Sequence, residues 1–230
     1  MNRKSLLAQP FITANSITTG VQGLLFTSVG FSVMLLLLRT IYAGQITFYF
    51  LLWNLFLAFI PFYLSNTLMQ RPAWIESKWK FSLVFIGWLL FIPNSFYMLT
   101  DLFHLYDSHA LPRWFDLLLI FCFAWNALLF GILSVRHMEK IMHARWPFRN
   151  ELLFIYPVMV LNAAGIYIGR YLRYNSWDII SNPFRLFLDI GHILLHPIEC
   201  KNAWAMVLIF SFFLTIIYGT LRKLSRSLNH

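Results

Sequence analysis

The sequence predicts an all-α integral membrane protein, a helical bundle of about six transmembrane helices with one further helix at the outer membrane face. Of its 230 residues, 59% are apolar and only 12% are charged, against roughly 45–50% and 25% in soluble domains. Phenylalanine contributes 24 residues and tryptophan nine, which is typical of lipid-facing surfaces and interfacial belts. The length fits a single multi-spanning membrane domain over residues 1–230, without a soluble module.

Six apolar windows, uncharged except for Asp116 in the fourth, are long enough to cross a bilayer, which takes about 20 helical residues. They cover residues 20–38, 46–65, 81–99, 114–135, 152–169 and 203–220. Residues 183–200 are also apolar, but they carry Asp189, His192, His196 and Glu199 at helical spacing. This pattern predicts an outer interfacial or re-entrant helix. The N-terminus lacks the compact apolar core and cleavage site of a signal peptide, so we expect none to be removed.

The distribution of Lys and Arg predicts the orientation in the membrane. Twelve of these residues fall on the side that holds both termini: Arg3, Lys4, Arg71, Lys78, Lys80, Arg136, Lys140, Arg145, Arg149, Arg222, Lys223 and Arg226. Six fall on the opposite side: Arg39, Arg113, Arg170, Arg173, Arg185 and Lys201. Because basic residues collect in cytoplasmic loops, both termini are predicted to be cytoplasmic. The formal charge of +9 therefore indicates topology and contact with anionic lipids in the basic loop 136–151, and not nucleic-acid binding.

The end of the third span carries the most informative polar residues. Asn94, Tyr97, Asp101 and His104 lie at i, i+3, i+7 and i+10, which is one face of an α-helix. Ionisable groups at the mouth of a membrane helix are costly, and they indicate a functional site by default. The alternative is that Asp101 only caps the helix. Pro93 is expected to kink the span just before these residues.

The end of the fifth span brings further polar residues to the same predicted side. Arg170 and Arg173 are followed by Asn175 and Asp178, a turn-like cluster. The two guanidinium groups could bind an anionic substrate, reach lipid phosphates, or pair with an outer aspartate such as Asp116. Asparagines within the spans are interpreted as contacts between helices.

The chemistry open to these residues is acid–base catalysis, with His104 as general acid–base and Asp101 orienting it. Aspartate and histidine at a spacing of three recur at Asp189 and His192, but no recognised zinc signature is present, and we assign no metal ligands. No phosphate-binding Gly-rich loop, dinucleotide motif or nucleophile elbow is found. ATP-driven and NAD-linked chemistry are therefore not expected, and the sequence identifies no cofactor.

Three stretches resemble the bacterial membrane proteins grouped as domain of unknown function 1361. WLLFIPNSFYMLTDLFHL (88–105) is similar to that family's W-x-x-F-x-P-N-x-x-Y-x-x-T-D-x-x-H-L pattern, and RWFDLLL (113–119) to its W-[YF]-D element. GIYIGRYLRYNSWDI (165–179) resembles its G-x-x-[LI]-G-R-x-x-R-x-N-S-W-D stretch. The resemblance implies a multi-spanning bacterial membrane protein and supplies no reaction. Together with the predicted topology, it makes the bacterial inner membrane the expected location. Its defining positions here are Pro93, Asn94, Thr100, Asp101, His104, Asp116, Arg170, Arg173, Asn175, Trp177 and Asp178.

These residues predict one polar site at the outer face, with catalytic and substrate-binding parts. The catalytic residues are Asp101 and His104, and the substrate-binding residues are Asn94, Asp116, Arg170, Arg173, Asn175 and Asp178. Membrane lipids are the expected partners, with an anionic lipid or lipid-linked molecule as the ligand. Three function classes remain open: a membrane enzyme acting on such a lipid, a transporter or lipid-handling channel, and a non-catalytic subunit or scaffold. The sequence identifies no protein partner.

Overall fold

The computed structural model describes residues 3–106, 110–146, 150–174 and 178–227, with side chains throughout these ranges except at 3–22, 179–180 and 226. Within these ranges the secondary structure is helical, without strands. Helices are expected in a chain with this apolar content, because every backbone N–H and C=O inside a bilayer must bond within its own segment or in a closed barrel.

Six helices in the described part of the chain are long and apolar enough to cross a membrane, which confirms the prediction of about six transmembrane helices. We number all α-helices in chain order. The six are α1 (Arg3–Ala43, apolar over Gly23–Ala43), α2 (Phe50–Gln70), α4 (Lys78–Tyr97), α5 (Arg113–Arg145), α6 (Leu152–Arg170) and α9 (Lys201–Ser227).

Shorter helices lie between the spans. They are α3 (Pro72–Glu76), a 3₁₀ helix (Met98–Tyr106) directly after α4, α7 (Asp178–Ser181) and α8 (Pro183–Leu195). Proline at the first position starts both α3 and α8, where its missing N–H has no helical partner to lose. A helix is thus present in the 183–200 segment, as predicted, but it ends at Leu195.

The predicted loop 136–151 is largely helical, which corrects the sequence interpretation. The α5 helix continues to Arg145, because Val135, Met138 and Ile141 extend its buried apolar face beyond the apolar window. His137 and Glu139 are each only 5% exposed. The charged residues of this stretch are typical of a loop, but the apolar residues between them form the buried face of a helix.

The chain divides into two compact units, Met1–Pro147 and Phe148–His230. In the first unit, α2 packs against α4 and α5, and both α1 and the 3₁₀ helix pack against α5. Its core is built from large apolar side chains, including Leu36, Phe48, Leu51, Phe62, Met98, Leu119, Phe123 and Phe130. In the second unit, α6 packs against α9, and α7 packs against α8. The single domain over residues 1–230 stays a prediction.

Direct hydrogen bonds join the helices of the first unit. Asn126 Nδ2 donates to Ser32 Oγ at 2.9 Å, and Trp88 Nε1 donates to Ser134 Oγ at 2.7 Å. Ser95 Oγ donates to the carbonyl oxygen of Ala58 at 3.0 Å. Such bonds contribute roughly 0.6 kcal/mol each in membrane bundles, so they add modestly to packing and fix which helix faces meet.

Candidate functional site

Four segments bring their polar residues together at one end of the first unit. There α1 and the 3₁₀ helix end, and α2 and α5 begin. We call this the polar end, and define it by Arg39, Asn54, Asp101, His104, Arg113 and Asp116.

Asp101 is fixed by a helix distant in sequence. It is 1% exposed, and its Oδ2 accepts a hydrogen bond of 3.0 Å from Asn54 Nδ2, on α2. An aspartate that only capped its own helix would not need this partner. The interpretation of Asn54 as a contact between helices is confirmed, and it also explains how a carboxylate is accommodated in the bundle.

His104 lies one 3₁₀ turn after Asp101 and is partly exposed. Its ring packs against Phe50, with the ring centroids 4.9 Å apart. The expectation of one continuous α-helical face from Asn94 to His104 is wrong, because the chain changes to a 3₁₀ helix at Met98. Residues three apart are eclipsed in a 3₁₀ helix, so Asp101 and His104 still project to the same side.

Asp116 forms a buried ion pair with Arg39. Arg39 Nε and Asp116 Oδ1 are 2.9 Å apart, and the side chains are 0% and 1% exposed. The Arg39 guanidinium also stacks over the Phe48 ring, 4.2 Å from its centroid. Asp116 Oδ2 is buried and has no hydrogen-bond partner among the described residues. Asp116 was predicted to bind substrate, and its observed partner is a protein side chain.

Two basic residues of the polar end were missed as site residues in the sequence. Arg39 was read only as a topology charge, although a single arginine at the end of an uncharged span is the signal that marks it. Arg113 was read in the same way. It is exposed at the first residue of α5, with its guanidinium carbon 5.3 Å from the centroid of the Tyr106 ring.

Asn94 lies inside α4, next to Pro93, and is partly buried. Its Nδ2 donates to the carbonyl oxygen of Phe91 at 3.0 Å. This bond is local to the helix turn that contains the proline, which supplies no backbone N–H of its own. A role of Asn94 in substrate binding stays a prediction.

The second unit holds the remaining predicted site residues that the structure describes. Arg170 is the last residue of α6, and Asp178 begins α7, where its Oδ1 accepts a 2.9 Å hydrogen bond from Ser181. Arg173 is exposed, and its backbone is in the left-handed region with a φ of 59°. This conformation costs a non-glycine residue about 1–2 kcal/mol. Asn175 lies outside the described residues. The grouping of these residues with Asp101 and His104 in one site stays a prediction.

Of the four polar residues predicted to share one helical face in the 183–200 segment, Glu199 lies beyond the end of α8. Asp189 Oδ2 accepts a 2.7 Å hydrogen bond from the Tyr174 hydroxyl. His192 instead stacks on His196, with ring centroids 4.6 Å apart, and its Nε2 lies 3.9 Å from Glu199 Oε2. The helix ends before Glu199, which is why the predicted register fails. In the described ranges, no group of three or more His, Cys, Asp or Glu residues is arranged to hold a metal.

A buried histidine at the opposite end of the first unit was also missed. His137 Nδ1 lies 3.4 Å from Ser65 Oγ, and its ring is 5.8 Å from that of Phe62. His137 lies three residues after Ser134 on α5, so both side chains are on one helix face. This spacing was the sequence signal that could have identified it. Asn162 on α6 differs from the other asparagines, because its buried amide has no hydrogen-bond partner in the part of the chain that the structure describes.

Residues 53–217 match the family described as "Protein of unknown function (DUF1361)". The chain belongs to this family. The matched region begins in α2 and contains the three motifs, so the resemblance read from the sequence is confirmed. No curated protein and no solved structure matches the chain. The family description names no activity, and a function has to be inferred from the polar end itself.

Proposed function

We propose that the polar end binds the anionic headgroup of a lipid or lipid-linked molecule, and that His104 exchanges a proton with it in an enzymatic reaction. The observation that carries this proposal is the difference in burial between the acidic and the basic groups of the polar end. Two carboxylates lie buried with protein partners, while one imidazole and one guanidinium remain accessible beside them.

Burial of both carboxylates favours an anionic ligand. Arg39 compensates the charge of Asp116, and Asn54 holds the Asp101 carboxylate away from the surface. Arg113 then supplies the exposed positive charge of the polar end. Its guanidinium group can bind two phosphate oxygens in bidentate fashion. Tyr106 and Trp114 are 66% and 64% exposed, and aromatic rings of this kind favour the headgroup level of a bilayer.

The 3₁₀ helix supports a proton-transfer role for His104. Imidazole gives and accepts protons near neutral pH, as a general acid–base requires. Its packing on Phe50 restricts the ring, while its partial exposure leaves access for a substrate. Asp101 is a positioning residue in this scheme, because its bond to Asn54 fixes the 3₁₀ helix on α2 one turn before His104.

Native mass spectrometry with elemental analysis on gently solubilised protein tests the proposal. We expect the wild type to retain a phosphate-bearing lipid, and to bind added phosphatidylglycerol in preference to phosphatidylcholine. Arg113→Ala and the double variant Asp101→Asn/His104→Ala should lose this preference. The control is His143→Ala, at the opposite end of α5, which should keep it.

Two outcomes would count against the proposed function. Equal lipid binding by folded wild type and double variant would contradict the proposed site. Once a substrate is identified, His104→Ala should abolish turnover and retain binding, and full activity of that variant would exclude the catalytic role.

A second candidate function is a non-catalytic scaffold in a membrane complex, and one observation favours it over transport. Asn54 and Asn126 bond directly to side chains of other helices, so these asparagines serve packing and do not need a water-filled route. Solvent labelling of single cysteines placed along α4 tests transport. Labelling of cysteines on both sides of Asn94 would support a polar route through the unit.

A further inference from the structure

Five large apolar side chains of α8 are exposed, and they lie on one face of this helix. We define this apolar face by Phe184, Phe187, Leu188, Leu194 and Leu195, which are 84%, 66%, 73%, 58% and 78% exposed. At 100° per residue these five positions fall within one third of the helix circumference. The sequence alone could not define this face, because α8 also contains Leu186, Ile190 and Ile193.

The structure separates those remaining apolar residues into a second, packed face. Leu186 is 5% exposed, and Ile190 and Ile193 are partly buried. Trp204 Nε1, on α9, donates a 3.0 Å hydrogen bond to the carbonyl oxygen of Ile193. These contacts fix the rotation of α8 about its own axis, and they turn the apolar face away from the protein interior.

The polar residues of α8 form a third face. Arg185, Asp189 and His192, with His196 directly after the last residue of α8, follow each other at spacings of four, three and four residues. At 100° per residue they lie on a separate side of the helix from the apolar face. Tyr174 donates to Asp189 at 2.7 Å. Partial burial and this hydrogen bond both raise the pKa of Tyr174, so the hydroxyl remains a donor and holds the polar face in place.

We infer that α8 lies in the plane of the membrane, with its apolar face in the acyl region of one leaflet and its polar face at the headgroups. Chain connectivity identifies lipid as the occupant. α8 begins 13 residues after the membrane helix α6 ends and ends six residues before the membrane helix α9 begins. Both of its ends are therefore tethered near the same bilayer surface. A helix with Phe and Leu exposed on one face and charged residues on another is typical of that position.

The in-plane orientation distinguishes this inference from a re-entrant helix. Phe184 and Leu195 are both on the apolar face and eleven residues apart, which is about 16 Å along the helix axis at 1.5 Å per residue. In an in-plane helix they lie at the same depth. In a re-entrant helix one lies much deeper than the other.

Nitroxide labelling and power-saturation electron paramagnetic resonance test the inference. Single cysteines at 184, 188 and 195, and a matched control at 185, would be introduced into full-length protein with Cys122→Ser and Cys200→Ser. The protein would be reconstituted in phosphatidylcholine–phosphatidylglycerol vesicles. We expect the ratio of oxygen accessibility to nickel-chelate accessibility to be several-fold higher at 188 than at 185, and equal at 184 and 195.

Three results would overturn the inference. Equal ratios at 188 and 185 would place the apolar face in water. An immobile label at 188 that neither reagent reaches would show that another protein surface covers the face. Unequal depths at 184 and 195 would make α8 re-entrant. Variants that insert and elute as the wild type in size-exclusion chromatography are the ones compared.

Discussion

Asp116 illustrates how a single residue acquires its role from distant sequence. Its partner Arg39 is 77 residues away, and both side chains are almost completely buried. Nothing local to either residue identifies the other, since each alone is a charge near the end of an apolar span. The pairing gives Asp116 a buried protein partner, and its predicted role in substrate binding stays a prediction. Arg113 is the exposed guanidinium of the polar end.

We expect Arg39→Ala to destabilise the protein strongly, because it leaves the Asp116 carboxylate buried without its counter-charge. Removal of one partner from a buried pair costs roughly 3–5 kcal/mol, whereas replacement of both by apolar residues is often close to neutral. Arg39→Met/Asp116→Leu should therefore recover most of the unfolding free energy lost in Arg39→Ala. Unfolding of the detergent-solubilised protein by sodium dodecyl sulfate measures these differences.

Lys78→Ala is the control for this prediction, because Lys78 is an exposed cation at the start of α4. Its replacement should change stability by no more than about 0.5 kcal/mol. If Arg39→Ala were as mild as Lys78→Ala, the ion pair would not be buried as described.

Two elements differ from the sequence expectation for physical reasons. The third span changes from α-helix to 3₁₀ helix at Met98, and a spacing of three residues fits both geometries, so the pattern could not distinguish them. The α5 helix extends to Arg145 because its buried stripe continues through a charged stretch. Both elements pack within the first unit, since the 3₁₀ helix contacts α5, and α5 contacts α2 and α4.

The approach of α4 to α5 depends on Gly131. A Cβ atom at this position would lie 2.8 Å from Ser95 Cβ and 3.1 Å from atoms of the Phe96 ring. We expect Gly131→Ala to destabilise the protein by about 1–3 kcal/mol, the usual cost of overpacking. Thermal unfolding of the solubilised protein measures the loss.

Gly87→Ala is the matched control, because its Cβ would meet only Leu64 Cδ1 at 3.6 Å. This is an ordinary contact, and alanine also favours the helix. Gly87→Ala should be neutral or slightly stabilising. Equal effects of the two substitutions would mean that α4 and α5 are not in close contact at Gly131.

At the scale of the whole molecule, basic residues predict the orientation in the membrane. Twelve Lys and Arg residues fall on the side of both termini and six on the other. We expect green fluorescent protein fused to the C-terminus to fluoresce, and alkaline phosphatase fused after Pro112 to be active. The reverse pattern would place both termini outside and contradict the predicted inner-membrane topology.

The sequence by itself determined the class of protein and its six membrane helices. In a bilayer the backbone has to satisfy its own hydrogen bonds, so a long uncharged apolar run leaves little choice but a helix. The sequence also marked Asp101 and His104, because charged groups are conspicuous at the end of such a run. Only the tertiary structure decided the partners of these and other residues. Asn54 bonds to Asp101, Arg39 pairs with Asp116, and Trp204 bonds to Ile193 of α8. These contacts join elements that the local sequence does not relate to each other.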